Sequence, residues 1–526
     1  MMKRRDFFKG MGGLATSAGM SLLAGGCQAA GPYDHLEDTD PRAGYNLEPP
    51  SLFLFLDRRY IDPGELIWRH PEGEILDLSK PEGKPVEARA DLDVTPRGHL
   101  HIKAMPATRE ILETSPPDNI ICDEGMYKSW RLQRIEGASV EDSRIEISYR
   151  QSTDGYEWND SGPVDVIAAP GLTGGGETEV GYFIDKYGPA QERYKAIAYF
   201  HVKYSKARME ALWSRFMKVH PYYRDLRIGR DSMELIYGLV SADGRKWKMI
   251  PEPLLISKGD THNTITYDPY LGQYVMYSRL YPFRRRMVGR ATSEDFRHWT
   301  PLTPVVWPSL DESLTMDVYT NAYTTYPGLP QQHIMFPMFY DRYDETSEVR
   351  MYSSVEGIMW NEVPGGPILT RDLTPSSWPG EFLKVWKNLI PLGNDRVAVG
   401  FNERSRPHKY PRWPGVGQDR GGYAWWPKER LAALVAEREG EFYTFHVKVT
   451  GKRLRVNARI RGAGEIRVGL AGIEGRNVDD CDVLQGDKAD HRVRWNGNPN
   501  LNVEPGNHVR LHFRMNCAEL FSFAWV

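Results

Sequence analysis

Three acidic residues in the middle of the chain have types and positions that could do acid–base chemistry. Asp260, Asp317 and Glu381 each lie at the start of a stretch that predicts a β-strand. Two carboxyl groups on opposite sides of a bond can protonate a leaving group and supply a base or nucleophile, and a third can keep the acid protonated. We expect Asp260 and Asp317 to be the base or nucleophile and the pKa modulator, in either order. Glu381, with its longer side chain, is expected to be the general acid.

The stretch 259–300 predicts the element that positions Asp260. Alternation over 264–267, 273–277 and 287–292 predicts three strands, and the segment 293–300 is expected to complete a fourth. Four antiparallel strands in about 45 residues are typical of one β-propeller blade, in which the innermost strand lies nearest the axis. The entry end of that strand would line a central pocket.

A seven-residue pattern, Ser-x-Asp-Gly-x-x-Trp, recurs with small changes along the chain. The copies span residues 152–158, 241–247, 293–299 and 354–360, and 421–426 is a degenerate fifth candidate. An Asp-Gly pair favours a tight hairpin, and the tryptophan is expected to pack between neighbouring sheets. Four clear copies and one weak one favour an all-β fold with a five-bladed propeller, and six blades remain an alternative.

Two segments predict helices within this all-β pattern, and the end of the chain changes character. Residues 207–219 predict a helix inserted in the second blade, and 428–438 is another helix candidate. From about residue 437, strict alternation with arginine on one face predicts half-buried antiparallel sheet. We therefore assign 51–436 to the propeller and 437–526 to a β-sandwich with a structural role, with carbohydrate binding as the alternative.

The N-terminus predicts export. Residues 3–9, Lys-Arg-Arg-Asp-Phe-Phe-Lys, resemble a twin-arginine signal, and 24–27, Ala-Gly-Gly-Cys, resemble a lipoprotein cleavage box. Residues 1–27 are the predicted signal peptide, and 28–50 are the predicted linker. The protein is expected to be periplasmic, attached to the outer membrane or extracellular, and any membrane contact would come only through lipid at Cys27. In the alternative, Cys27 is incidental to a plain twin-arginine signal.

Composition limits the classes of ligand that the protein is expected to bind. Loss of residues 1–26 would take the formal net charge from −3 to about −6, which argues against nucleic-acid binding. The 15 tryptophans and 28 tyrosines suit sheet interfaces and also clefts in which aromatic rings stack on sugars. No cofactor is expected to be required, and a structural or axial calcium ion is left open. Cys481 and Cys517 could form a disulfide, whereas Cys122 is expected to be single.

Several segments together resemble a known group of enzymes. They are 55–61, 189–196, 259–263, 317–321, 380–382 and the recurring turns. The chain resembles the five-bladed propeller glycoside hydrolases of families 32 and 43, with a C-terminal β-sandwich as in family 32. It is more similar still to a group of secreted bacterial proteins that are family-32-like. The Trp-Met-Asn-Asp-Pro-Asn-Gly and Arg-Asp-Pro motifs of family 32 are absent, so that family's catalytic residues are not carried over.

The function we expect is hydrolysis of a glycosidic bond in a polysaccharide or oligosaccharide, because that reaction needs a pair of carboxyl groups. Each acid could instead be a solvated turn residue or a cap. A glycan-binding lipoprotein without activity and a polysaccharide lyase are the alternative functions. The lyase would use Tyr319 or His262 as a base and arginines to neutralise a uronate.

Other residues are expected to bind the substrate. Asn263, Tyr319 and Asn321 are candidate partners of sugar hydroxyls, and His408 is expected in a loop over the pocket mouth. His262 could orient a carboxylate, bind a hydroxyl, ligate an axial ion or be purely structural.

The acids of the first two blades are less certain in position. Glu177 or Glu179 is expected in the second blade, with Glu179 as the reserve for the catalytic set. Glu87 or Asp91 is expected in the first blade, and Asp57 nearby.

Two groups of cations bear on the charge of the substrate. They are Arg284, Arg285, Arg286 and Arg290, and Arg404, Arg406, Lys409 and Arg412. If both groups face the pocket, an anionic sugar, uronic or sulfated, is favoured. The alternative is a solvated rim in which aspartate and glutamate pair with these cations.

Overall fold

The computed structural model describes thirteen ranges of the chain. They are residues 50–64, 68–69, 75–76, 94–135, 144–167, 172–173, 180–202, 204–219, 233–257, 259–371, 381–393, 395–409 and 418–526. These ranges form an all-β structure, as predicted, and helix α1 (Lys206–Val219) is the only α-helix within them. The predicted helix at 207–219 is thus confirmed. The signal peptide, nearly all of the linker, Glu87, Asp91, Glu177, Glu179 and Arg412 lie outside the described residues.

The first five strands do not form a sheet of their own. They are β1 (Leu52–Leu54), β2 (Trp68–Arg69), β3 (Ile75–Leu76), β4 (Arg97–Ala104) and β5 (Thr108–Leu112). β2 pairs with β3, whereas β1, β4 and β5 each pair with strands from the last quarter of the chain. The N-terminal strands therefore pack within sheets that are formed mainly by the last part of the chain.

Two antiparallel sheet units follow, and their outer strands pair in parallel. Sheet unit 1 (120–167) contains β6 (Ile120–Asp123), β7 (Met126–Ile135), β8 (Arg144–Ser152) and β9 (Asn159–Ile167). Sheet unit 2 (172–256) contains β10 (Leu172–Thr173), β11 (Gly181–Ile184), β12 (Tyr194–Val202), β13 (Met233–Ser241), β14 (Lys246–Met249) and β15 (Leu255–Ile256). A short 3₁₀ helix (Ala190–Glu192) lies between β11 and β12. β9 and β14 link the two units.

Sheet unit 3 (264–306) is the element expected around Asp260. It contains β16 (Thr264–Asp268), β17 (Gln273–Leu280), β18 (Met287–Ser293) and β19 (Thr303–Val306), in that order across the sheet. A 3₁₀ turn (Pro282–Arg284) lies between β17 and β18. The first three predicted strands are confirmed. The fourth prediction is wrong in position, because 293–300 forms the turn that leads to β19.

Sheet unit 4 (316–362) is broken along its length by irregular pairings. Its strands are β20 (Met316–Thr320), β21 (Tyr323–Tyr326), β22 (Leu329–Met335), β23 (Met338–Asp341), β24 (Ser347–Val349), β25 (Tyr352–Ser354) and β26 (Asn361–Glu362). β20, β23 and β24 form one part, and β21, β22, β25 and β26 form the other. Asp317 lies in β20, in the part of the unit that also contains β23 and β24.

Sheet unit 5 takes its last strand from the N-terminal segment. It contains β27 (Phe382–Val385), β28 (Ile390–Pro391), β29 (Arg396–Arg404) and β30 (Asp419–Pro427), and β5 pairs with β30. The degenerate fifth copy at 421–426 therefore lies inside β30 and is not a turn. The pairing between β5 and β30 therefore joins residues 108–112 to residues 421–425.

The C-terminal strands form a separate sheet that extends past the expected boundary. They are β31 (Ala432–Lys448), β32 (Leu454–Leu470), β33 (Asp487–Arg492) and β34 (His508–Trp525), and β1 and β4 complete the sheet. The boundary placed between residues 436 and 437 falls inside β31. The helix prediction for 428–438 is wrong. Residues 432–436 are a buried stretch of β31, and their backbone pairs with both β4 and β34. A short 3₁₀ helix (Val478–Asp480) follows β32.

The three cysteines among the described residues form no disulfide. Cys481 is buried, and Cys122 and Cys517 are exposed; all three have free thiols. Cys517 lies at the edge where β34 passes Glu437, to whose carbonyl its thiol donates. The expected pairing of Cys481 with Cys517 is therefore wrong.

The four recurring turns share one hydrogen-bonding pattern. The indole N–H of each tryptophan donates to the main-chain carbonyl three residues earlier, over 3.0–3.3 Å. The residue whose carbonyl accepts this bond has a positive φ in every copy. This explains why it is glycine in three copies, whereas Phe296 adopts a φ of 65° in the other. In the three glycine turns, the glycine carbonyl also accepts a hydrogen bond from another unit, from Tyr423 of unit 5, Trp130 of unit 1 and Tyr277 of unit 3 in turn. Each of these three turns thus holds two units together.

Candidate functional site

Segments of four units lie close to one another. Lys387 of unit 5 forms a bridge with Asn119, next to β6 of unit 1, and its Nζ donates to the carbonyl of Val180 in unit 2 at 2.5 Å. A Cβ on Gly181 would lie 2.3 Å from the carbonyl of Asn263, so only glycine allows units 2 and 3 to approach this closely. These contacts bring units 1, 2, 3 and 5 together.

Asn263 and Asn321 stabilise this region with their side chains. The amide of Asn263 donates to the carbonyl of Gly259 and accepts from Ser278, and both asparagines are buried. The amide of Asn321 donates to the carbonyl of His262, and its oxygen accepts from Thr264. Their polar atoms are thus used inside the protein, which corrects the expectation that they bind sugar hydroxyls.

His262 lies at the floor of this region. Its side chain is fully buried, 5.9 Å from the ring of Trp386, and its backbone has a φ of 44°, in the left-handed region. Burial lowers the pKa of His262 well below its usual value, and Lys384 and Lys387 lower it further. A neutral, enclosed imidazole is not exposed to bind a sugar, so the geometry favours the structural role among those expected.

Tyr319 is the centre of the cluster above that floor. Its hydroxyl forms a 2.9 Å hydrogen bond with Nε2 of His408. The guanidinium of Arg279 lies 4.3 Å from the centre of its ring, and that of Arg286 lies 4.9 Å from it. Arg279 also donates to the carbonyl of Tyr319 at 2.8 Å. The expected residues Tyr319, Arg286 and His408 are therefore brought together.

Asp260 and Asp317 are each held by one of these arginines. Asp260 forms an ion pair with Arg279, and its side chain is 42% exposed. Asp317 accepts from Arg286 at 2.6 Å and lies 3.4 Å from Arg342, and its side chain is completely buried. Asp260 is therefore accessible to a ligand, whereas Asp317 acts on the site through Arg286.

Glu381 directly precedes a residue of the Tyr319 cluster. Its side chain is 27% exposed and 3.4 Å from Arg371. The next residue, Phe382, stacks on His408 with ring centres 4.4 Å apart. Phe382 therefore joins the cluster, whereas the carboxylate of Glu381 pairs with Arg371 and remains accessible.

His408 is a neutral imidazole in this cluster. Burial lowers its pKa to about 3, and Arg404, Lys409, Arg286 and Lys384 act in the same direction. A neutral ring can either accept from or donate to the hydroxyl of Tyr319. The loop expected over the pocket mouth therefore contributes a hydrogen-bonding group to the cluster.

Sequence reasoning missed Arg279, which pairs with Asp260 and contacts Tyr319, and it also missed Lys384 and Asp118. Asp118 lies two residues before β6, it is half-buried, and its charge acts on the buried hydroxyl of Tyr182. The available signal was an Asp-Asn pair before the short apolar run Ile120–Ile121. Asp57, in contrast, is used by Arg59, which donates to carbonyls of Gln331 and Ser354 in unit 4.

The two groups of cations separate in the structure. Arg286 and Arg404 reach the cluster, with Arg404 5.3 Å from the ring centre of Phe382. Arg284 is exposed, whereas Arg290 lies in the interior beside Tyr277. Arg404 also pairs with the partly exposed Asp419 at 3.3 Å, as the solvated-rim alternative expects, so neither group faces the cluster as a whole.

Two further observations concern ions and membranes. In the part of the chain that is described, no group of three or more histidine, cysteine or acidic side chains is arranged to hold a metal ion. The axial calcium ion stays a prediction. Within the same ranges, none of the helices is long and apolar enough to cross a bilayer.

Comparisons with known proteins give distant likenesses. No protein-family model and no curated protein matches the chain. A solved glycoside hydrolase is similar at 13% identity and a TM-score of 0.37, over 61% of this chain and 92% of that one. An N-acetylgalactosamine deacetylase from F. plautii, in complex with blood group B trisaccharide, is similar at 12% identity and a TM-score of 0.39, over 64% and 96%. An exo-inulinase from Aspergillus awamori gives 9% and 0.34, over 81% and 98%. At these scores the likenesses assign no family.

Proposed function

We propose that the five sheet units are the blades of a five-bladed β-propeller and that the C-terminal sheet is part of a β-sandwich. Two observations support this. Segments of units 1, 2, 3 and 5 meet through Asn119, Lys387, Gly181 and Asn263. β5 supplies the outer strand of unit 5, and this pairing would close the ring between the first and last blades.

We infer that the protein is an exported glycoside hydrolase that acts on a polysaccharide or oligosaccharide. The observation that carries this proposal is the pairing of Asp260 and Asp317 with Arg279 and Arg286, whose guanidinium groups lie against the ring of Tyr319. Glu381, which precedes Phe382 of the same cluster, is proposed to complete the set. Two of these acids are accessible from solvent, and the third is buried behind an arginine. Hydrolysis of a glycosidic bond needs two accessible carboxyl groups, and a third can tune the charge around them.

The burial of each acid suggests its role. Asp260 is the most exposed of the three and is proposed as the base or nucleophile. Glu381 is proposed as the general acid. Asp317 does not contact solvent, so it would act as the modulator, by fixing Arg286 and the local charge.

The test is a screen of the mature chain against a glycan library with analysis of the products. Asp260→Asn and Glu381→Gln should each reduce turnover about a thousandfold while the folded structure is retained. Glu437→Gln, in the C-terminal sheet, is the matched control and should have wild-type turnover. Saturable glycan binding without any product would support the non-catalytic glycan-binding protein instead. Wild-type turnover in both acid variants would overturn this site.

A polysaccharide lyase is the second candidate, and one observation favours it. The hydroxyl of Tyr319 bonds to a neutral His408 while two guanidinium groups lie against its ring. In such a reaction, Tyr319 or His408 would take the proton from C5 of a uronate, and the bond from C4 to the leaving oxygen would break as a C4–C5 double bond forms. A product that absorbs in the ultraviolet would identify the lyase. A product formed with water, without that absorbance, would identify the hydrolase.

A further inference from the structure

Arginines are concentrated next to Tyr319. Within the described residues, Arg279, Arg286 and Arg342 form ion pairs with Asp260 and Asp317, and the charge of Asp341 also acts on Arg342. Arg279 and Arg286 are largely buried, and Coulomb interactions are stronger there than in water. Two enclosed guanidinium groups therefore lie against the ring of Tyr319.

Lysines from unit 5 extend the positive region across the floor. Lys384 lies 4.7 Å from the ring centre of Trp386, and Lys387 is buried with its ammonium on the carbonyl of Val180. Lys384, Lys387 and Arg279 each act on His262 with a positive charge. Arg404, Lys409, Arg286 and Lys384 act on His408 in the same way.

Donor atoms remain available in this region. Within the described ranges, Nε of Arg279, Nε of Arg286 and Nδ1 of His408 are buried and have no hydrogen-bond partner. Buried donors are usually satisfied, and each one left unsatisfied has a cost of about 1–3 kcal/mol. A ligand that carries charged oxygens would be attracted by these cations and would accept hydrogen bonds from the unsatisfied donors.

We propose that the pocket takes a sugar with a negatively charged substituent, a uronate carboxylate or a sulfate ester, and that Lys384 and Arg279 supply the charge that selects it. This inference rests on the proposed function for the location of the site. Arginine and lysine are the side chains that bind carboxylate and sulfate oxygens most strongly. The ring of Trp386, beside Lys384, would provide an apolar surface for a sugar face.

Calorimetric binding to the Glu381→Gln protein tests this inference without requiring turnover. The probes are a uronate oligosaccharide with its carboxyl-reduced counterpart, and a sulfated oligosaccharide with its desulfated counterpart. We expect at least one anionic probe to bind about tenfold more tightly than its own neutral counterpart, with an advantage that decreases as salt is added. The pair that shows the advantage identifies the anionic group. Equal or weaker binding of both anionic probes would overturn the inference.

Variants of Lys384 provide a second measurement. Lys384→Gln should remove most of the anionic preference, whereas Lys384→Arg should retain it, because the charge is kept. Lys206→Gln, on the exposed helix α1, is the matched control and should leave the preference unchanged. Preference that persists in a folded Lys384→Gln protein would contradict the role of this lysine.

The two proposals fail in different ways. Tight binding of an anionic probe that is never cleaved would refute hydrolysis and keep the inference on charge. Cleavage of neutral glycans without any preference for an anionic probe would keep hydrolysis and refute the inference.

Discussion

The recurring turns and the Tyr319 cluster are assembled in opposite ways. In a turn, the serine hydroxyl accepts from a backbone N–H three residues later, and the tryptophan donates to a carbonyl three residues earlier. In the cluster, the partners lie 19 residues apart for Arg279 and Asp260, 31 for Arg286 and Asp317, and 89 for Tyr319 and His408. The turns are therefore local structures, and the cluster exists only after distant segments have packed.

This difference explains what each region can tolerate. A turn has most of its hydrogen bonds within seven residues, apart from the one that links a glycine turn to another unit, and its loss affects one junction between units. In the cluster, arginines and carboxylates are buried together, so removing one partner leaves a charge inside the protein. We expect substitutions in the cluster to cost more stability than substitutions in the turns, and the predictions below follow that order.

The largest effect is expected for Arg286→Met. This change leaves the buried carboxylate of Asp317 without its 2.6 Å partner, and only Arg342 at 3.4 Å remains. The free energy of unfolding should decrease by about 3 kcal/mol, as measured by urea denaturation. Arg284→Met, on the exposed neighbouring position, should change it by less than about 0.5 kcal/mol. Similar values for the two variants would contradict the account of the cluster.

A smaller effect is expected for Gly357→Ala in the fourth turn. The φ of Gly357 is 71°, and a Cβ there would meet the hydroxyl of Tyr277 at 2.6 Å. Strain and steric conflict together should cost about 2 kcal/mol in thermal or urea unfolding. Gly328→Ala has a similar φ of 82° and open space around it, so it should show the cost of strain alone, about 1 kcal/mol. Equal costs would mean that the contact with unit 3 contributes nothing.

Ser152→Ala tests the hydrogen bonds within a turn. The hydroxyl of Ser152 accepts from the N–H of Gly155 at 2.8 Å and is buried. Its removal should lower the free energy of unfolding by about 1 kcal/mol, because one buried donor loses its partner. Ser309→Ala, at an exposed position, is the control. A cost for Ser152→Ala as large as that of Arg286→Met would remove the distinction between the two regions.

The last prediction concerns pH and His408, and it compares two stability curves instead of the cost of one substitution. The pKa of His408 in the folded protein is about 3, well below the value of about 6.5 in an unfolded chain. The unfolded state therefore binds more protons between these values, and stability is lost as the pH falls below about 6.5. His408→Gln should lose less stability than the wild type between pH 6.5 and 4.5, as measured by urea midpoints. If the stability of the two proteins changes with pH in the same way, the pKa of His408 is not lowered in the folded protein.

Sequence patterns predicted the local elements well. The strands of 264–292, helix α1 and the four turns were all confirmed, because each depends on residues that are close in sequence. The helix candidate at 428–438 failed because a short apolar run fits a buried strand equally well. Its pairing with β4, more than three hundred residues away, decides between the two, and no local pattern encodes that contact.

The candidate site was predicted in its residues and not in its arrangement. The sequence named five members of the cluster, Asp260, Asp317, Tyr319, Arg286 and His408. It did not reveal that Arg279 pairs with Asp260 and contacts Tyr319. Asn263 and Asn321 were expected to face a substrate because they follow the acids closely. Their amides are instead used on main-chain groups, which only the packing of the inner strands reveals.

The central claim is that the accessible carboxylate of Asp260 does chemistry on a glycan bound beside Tyr319. The most direct measurement is kcat/KM of Asp260→Asn relative to the wild type, on a glycan that the wild type cleaves. The account predicts a decrease of about a thousandfold with an unfolding midpoint close to that of the wild type. A value of kcat/KM equal to that of the wild type would contradict it.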